Sequence, residues 1–283
     1  MLHIVMDTAG DLPVEWLEEY QIHTIPINIQ FGDKTYLQGV DISNVEFYRM
    51  AKESGTIPKT SQPTPTQFIN LYNRIASIGD VILSIHVTGK LSGTLHSAQI
   101  AARELAAQYN VIPFDSNSGT VAMGYMCREA RLLDRAGSTI DDIINHLDSI
   151  RKSIRIVLTL DSMEFARMSG RVKTLQAVLA SILNIKPIID LKEGILDVTD
   201  RVRTRKKSIT CLIDYMVNVF GKLPVNVGVL HAQDPEAGKI LMSLVKQSLN
   251  CKEIVFSELS IGIAANLGPG TIGIVAYPYV EGK

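Results

Sequence analysis

Short, nearly continuous apolar runs alternate with stretches of helical hydrophobic spacing through the first half of the chain. Leu2–Met6, Thr24–Phe31, Val81–Val87 and Val111–Phe114 have the length and apolar character of strands. Between and after them, amphipathic patterns predict helices from about Pro13 to Tyr20, over Gly93–Tyr109 and from about Ser118 to Ala136. Two more helices announce their starts. Ser43-Asn44-Val45-Glu46 is a capping box opening a helix to about Glu53, and Thr64-Pro65-Thr66-Gln67 is a second, running to about Ile78 with proline at the first helical position. Strands that are apolar on both faces, separated by helices, argue for a mostly parallel sheet covered on both sides.

Thr139-Ile140-Asp141-Asp142 caps one more helix, to about Lys152, and the texture then changes. Ile154–Leu160 reads as a strand and Thr174–Leu183 as a helix. Lys186–Leu191 and Ile195–Val202 bracket Lys192-Glu193-Gly194 as a β-hairpin. Helices over Arg205–Val219 and Pro235–Leu249, with strands over Val225–Leu230, Glu253–Leu259 and Thr271–Tyr277, complete an α+β half. The expected division is therefore an N-terminal α/β domain, residues 1–153, and a C-terminal α+β domain, residues 154–283.

At 283 residues and 46% hydrophobic content, the chain suits one large or two medium domains with ample core. A net charge of -1 gives no electrostatic reason to expect nucleic acid or an anionic membrane as partner. Cys127, Cys211 and Cys251 are scattered and form no metal spacing, which favours a reducing compartment. Leu2–Met6 is too short for a secretory core, and no apolar run approaches the ~18 residues of a spanning helix. The expectation is a cytoplasmic protein without stable membrane insertion.

The densest chemistry lies in Thr88-Gly89-Lys90-Leu91-Ser92-Gly93-Thr94, where a strand passes through small polar residues into a helix. Free N–H groups and the helix dipole favour an anion at such a start. Asp7–Asp11, Thr60–Thr64, Asp115–Ser118 and Gly268–Thr271 are similar polar segments, several of them following strands. Ligands of open α/β sheets bind beyond the carboxyl ends of strands, so these loops are expected to share one mouth. No GxGxxG or GxxxxGK[ST] spacing is present, Gly89 stands one residue too far from Ser92 for a nucleophile elbow, and nothing suggests a metal. His86 and His231 read as packed or hydrogen-bonded side chains. The basic run Arg201–Lys207 opposes the dipole of the helix it opens, which suggests an acidic or phosphate-bearing partner. On these residues alone, a phosphotransferase or other small-molecule enzyme using the Ser92 loop as a phosphate cradle stays open.

Taken in order, Asp7–Pro13, Thr60–Pro65, Leu91–Ala98, Phe114-Asp115-Ser116, Gly170-Arg171, Leu183–Ile188 and Gly268–Gly273 make the chain resemble the DegV family of fatty-acid-binding proteins over essentially its whole length. The resemblance implies two α/β domains holding a long acyl chain, with no other cofactor and no catalytic residue of its own. It implies that the carboxylate is bound by Thr60 and Ser92, with Ser61 and Thr94 beside them and Asn266 orienting the head group. It further implies an acyl-binding subunit that presents the carboxylate to a separate ATP-binding fatty acid kinase subunit. Arg171, Arg203 and Arg205 are then expected to face that partner or its phosphates. Three positions depart from the family pattern. Thr8-Ala9-Gly10 stands where a serine-rich stretch is common, Asn266 where histidine is, and Ser169-Gly170-Arg171 replaces a GGR.

The physical reading is compatible. A carboxylate accepting from two hydroxyls and nearby N–H groups stays ionised without a basic neighbour. A buried acyl chain contributes about 0.8 kcal/mol per CH₂, on the order of 10 kcal/mol gross for a long tail, before ordering costs. Leu175, Val178 and Leu179 are candidates for lining its path.

Overall fold

The computed structural model describes residues 1–172 and 185–280. The predicted helix Thr174–Leu183, with Leu175, Val178 and Leu179, lies outside these described residues. By internal packing the chain forms two units, one of Met1–Arg151 with Ser260–Gly262, the other of Lys152–Leu259 with Ile263–Lys283.

In chain order the first unit contains β1 (Leu2–Asp7), α1 (Val14–Glu19), β2 (Ile22–Ile25), β3 (Asn28–Phe31), β4 (Lys34–Leu37), α2 (Asn44–Ser54), β5 (Lys59–Ser61), α3 (Pro65–Ile75), β6 (Val81–His86), α4 (Thr94–Glu104), β7 (Asn110–Asp115) and α5 (Thr120–Arg135), with α6 (Ile140–Ser153) at its end. A parallel sheet runs in the order β2-β1-β6-β7. Strand alternation sorts its side chains onto two faces. Val5 and Ile82 pack with Phe68, Leu71 and Tyr72 of α3 and Ala98 and Ala101 of α4. Against the strands also lies α5, where Gly124 admits Leu12 and the Gly10 carbonyl at a distance that leaves no room for a Cβ. Both predicted capping boxes are formed, at Ser43/Glu46 and Thr64/Gln67.

The expected single strand Thr24–Phe31 is two strands in two sheets. Pro26 follows the last residue of β2 and has no N–H to continue the ladder. The chain then enters a small antiparallel sheet of order β4-β3-β5.

The second unit contains β8 (Arg155–Thr159), α7 (Glu164–Ser169), β9 (Lys186–Lys192), β10 (Ile195–Val202), α8 (Arg205–Phe220), β11 (Pro224–His231), α9 (Pro235–Ser248), β12 (Asn250–Glu258), α10 (Ile261–Leu267), whose first residues belong to the other unit, and β13 (Ile272–Pro278). Its mixed sheet runs β10-β9-β8-β13-β11-β12. The β9–β10 hairpin turns through Glu193 and Gly194, both at positive φ, as its two-residue loop requires. Val157, Val227, Val229, Ile272 and Ile274 form one apolar face under Leu212, Met216, Leu241 and Val245 of α8 and α9. No helix among the described residues is long and apolar enough to cross a membrane.

Candidate functional site

Connections from the parallel sheet diverge between β1 and β6: β1 leads to β2 on one side, β6 to β7 on the other. Such a switch point leaves a crevice beyond the strand ends. Asp7, the last residue of β1, ties its two rims together. Its Oδ1 accepts from the Ala9 N–H at 3.1 Å and its Oδ2 from the Val87 N–H at 3.0 Å. The same Oδ2 lies 3.1 Å from His86 Nδ1, and His86 Nε2 lies 2.7 Å from Ser84 Oγ, which accepts from the Tyr72 hydroxyl at 2.8 Å. All four side chains are buried. Residues spaced by two along a strand share a face, so Ser84 meets Tyr72 and His86 meets Phe68 of α3, with Asp7 beside His86. Burial holds the Tyr72 phenol well above its ordinary range.

The Ser92 loop begins directly after this anchor. Ser92 Oγ and Thr94 Oγ1 are 2.9 Å apart, and α4 begins with Gly93 as N-cap and without a side-chain cap. Thr60 and Ser61 lie on β5, opposite Ile29 and Asn28. Asn28 Nδ2 donates to the Gln62 carbonyl at 3.0 Å and its amide exchanges bonds with Gln67, fixing the chain between β5 and α3. The two hydroxyl segments then touch. A Cβ on Gly93 would stand 2.8 Å from Gln62 Nε2, so the Gln62 amide rests on the glycine. Thr60 and Ser92 are half-buried, Ser61 is exposed and Thr94 is buried. Hydroxyls beside an uncapped helix start are donors suited to a carboxylate or phosphate.

Beyond β7 the Asp115–Thr120 segment closes the same end of the sheet. Ser118 O accepts from the Thr88 N–H at 2.8 Å, Ser116 Oγ donates to His86 O at 2.7 Å, and the Thr120 N–H reaches Ala9 O at 2.7 Å. Asp11, Asn117 and Thr120 have φ of 46°, 47° and 53°. In a β-branched residue such as Thr120 this conformation is strained and held only by its surroundings. Ser118 Oγ is buried with no hydrogen-bond partner among the described residues. Burial pushes the Asp11 carboxyl up to about 7, against the opposing hydrogen bonds of Thr120 and Ser260.

In the second unit, Ser169 links two of the expected site residues. Its hydroxyl donates to the Asn266 carbonyl at 3.2 Å, and Arg171 donates to Ser169 through both its backbone N–H and its guanidinium. Arg203 is exposed. Arg205 is not a free cation: its Nη2 pairs with Asp234, the N-cap of α9, at 3.1 Å. The start of α8 is capped by Thr204, which accepts from the Lys207 N–H and offsets the basic first turn. Burial keeps the His231 imidazole below its ordinary value, and the ring lies 5.0 Å from that of Phe256, tilted by 36°.

A groove of about 370 Å³ lined by Ala102, Ala106, Tyr109 and Val111 lies near the opposite ends of β6 and β7, away from the hydroxyl loops. Among the described residues no group of His, Cys, Asp or Glu could hold a metal ion. Sequence reasoning did not single out Asn28 or Gln38 as site-building residues. Their roles depend on partners distant in sequence, and no local motif marks them.

Fold and site define an α/β protein with paired hydroxyl loops near the switch point of a parallel sheet. The model of the family described as uncharacterised proteins of the DegV family matches residues 1–279, and the chain belongs to that family. It is 32% identical to the Protein DegV of Bacillus subtilis over 276 residues, covering 96% of this chain and 97% of that one. A DegV family protein from Thermus thermophilus, described as fatty-acid binding, superposes with a TM-score of 0.89 at 28% identity over 98% of this chain and 99% of its own. A stearic-acid-binding protein from Eubacterium ventriosum gives a TM-score of 0.89 at 26% identity, with 98% of each chain covered.

Proposed function

We propose that this protein binds a long-chain fatty acid and acts as a cytoplasmic acyl-binding subunit, not itself an enzyme, for a separate ATP-dependent fatty acid kinase. Thr60, Ser61, Ser92 and Thr94 hold the carboxylate on residues 1–153, and Asn266 helps orient it. Residues 154–283 close over the acyl chain, and Arg171 and Arg203 face the kinase, with Arg205 fixing the nearby start of α8. One observation carries the head-group assignment: Gln62 packed on Gly93 joins the two hydroxyl segments beside the uncapped start of α4. The fatty acids named for the Thermus and Eubacterium proteins supply the ligand class.

Solvent extraction of the natively purified protein, followed by mass spectrometry, is expected to release a stoichiometric long-chain fatty acid. Thr60→Val and Ser92→Ala are each expected to weaken rebinding by about tenfold or more, since a hydrogen bond to a charged group is worth about 1.5–3 kcal/mol. An empty protein that refuses added oleate would end the fatty-acid reading, and unchanged affinity in both variants would end the head-group assignment. Arg203→Glu should slow acyl phosphate formation with the kinase while leaving oleate affinity intact. Equal rates would remove the docking role.

A further inference from the structure

The chain leaves the second unit after Leu259, gives Ser260–Gly262 to the first, and rejoins the second at Ile263. Ser260 immediately precedes α10 and Gly262 is its second residue, so both N–H groups belong to the set that a helix start leaves without intrahelical partners. Side chains from the opposite end of the sequence accept them. Asp11 Oδ1 takes the Ser260 N–H at 2.9 Å, and Gln38 Oε1 takes the Gly262 N–H at 2.7 Å. Gln38 is itself fixed, because its Nε2 donates to the Thr8 carbonyl at 2.8 Å. Asp11 and Gln38 are both buried. Glycine is needed at 262, where a Cβ would stand 2.9 Å from Ile27 Cδ1 and 3.0 Å from Gln38 Oε1.

We propose that Asp11 and Gln38 are positioning residues that cap α10 from outside and so hold the segment whose last turn carries Asn266. Its functional consequence rests on the fatty-acid reading above, while the cap itself does not. Asp11 faces the Asp7 carboxylate from β1, the Thr120 hydroxyl from the start of α5, and the Ser260 hydroxyl and N–H. Burial holds the capped carboxyl up to about 7, whereas an Asp11 opened to water ionises near 4. The capped state therefore keeps a proton that the opened state releases. Raising the pH between these values favours opening by up to about tenfold per pH unit, and the effect levels off above about 7.

Hydrogen exchange of the full-length protein, read by mass spectrometry on peptides spanning residues 258–264 and corrected for intrinsic rates, tests this beside oleate affinity at each pH. In the wild type, protection is expected to fall by about tenfold or more between pH 5.5 and 7.5 and then level off. Asp11→Asn, which cannot titrate, should give a flat profile. Gln38→Ala should lower protection at every pH. Oleate affinity should weaken over the same window in the wild type and stay flat in Asp11→Asn. Flat wild-type protection, or an unchanged slope in Asp11→Asn, would overturn the proposal, as would wild-type oleate affinity in both variants at every pH. A wild type that never binds oleate but shows the pH-dependent protection would retire the fatty-acid reading and leave the cap standing. Should Asp11→Asn not fold, the wild-type profile and Gln38→Ala decide alone.

Discussion

At the scale of single residues, Asp7, His86 and Ser84 reproduce the connectivity of a nucleophile–base–acid relay, but one sealed in the core. Ser84 already accepts from Tyr72, and no member of the relay touches solvent. A fluorophosphonate probe is expected to leave Ser84 unlabelled in the folded protein, read by peptide mass spectrometry; labelling would mean that the site opens. Asp11 has a different consequence. Its folded carboxyl is raised from 3.8 to about 7, so the folded state binds more protons than the unfolded state between these values. That contribution to stability is fully present below about pH 4 and is lost as the pH rises through about 7. Asp11→Asn should therefore raise the Tm at pH 8 and flatten its decline between pH 4 and 7, as thermal melts across pH would show. The hydroxyls Thr60, Ser61, Ser92 and Thr94 stood out in the sequence because small polar residues at a strand end or helix start leave a local pattern. Asp11, Gln38 and Gly262 could not be read as a set, since 224 residues separate Gln38 from Gly262.

Among elements, the strongest periodic signals gave the right pieces and the breaks between them were harder. Both capping boxes open helices because the donors and acceptors lie within three residues of each other. Pro26 ends β2, yet the run Thr24–Phe31 is apolar enough on both sides to conceal the change of sheet. The three-residue strand β5, which carries Thr60 and Ser61, exists through its pairing with β3 and has no periodicity of its own. Likewise α10 is short, and its start is satisfied by distant side chains. The seating of α5 gives the element-scale prediction. Gly124→Ala would drive a methyl group into Leu12 and to 2.8 Å from the Gly10 carbonyl, which is backbone and cannot turn aside. Overpacking of this kind costs roughly 1–3 kcal/mol, and a Tm lowered by about 2–10 °C is expected; an unchanged melt would show that the loop after β1 yields.

For the molecule as a whole, a ligand that binds only the folded chain stabilises it by mass action. If the fatty-acid proposal holds, oleate at about a hundred times its dissociation constant adds about 2.7 kcal/mol, raising the Tm of the delipidated protein by roughly 5–10 °C. ATP and inorganic phosphate should add nothing comparable; a shift with these and none with oleate would favour a phosphate cradle. The division of the chain into units has a further consequence in time. The first unit is completed by Ser260–Gly262, which follow Arg151 by roughly 110 residues. At elongation rates of about 5–20 residues per second, the first 151 residues wait on the order of 5–20 seconds on the ribosome before the N–H groups that Asp11 and Gln38 receive have been synthesised. During that interval the Asp11 and Gln38 side chains lack the N–H groups they accept, and the first unit is finished only by residues made more than a hundred positions later.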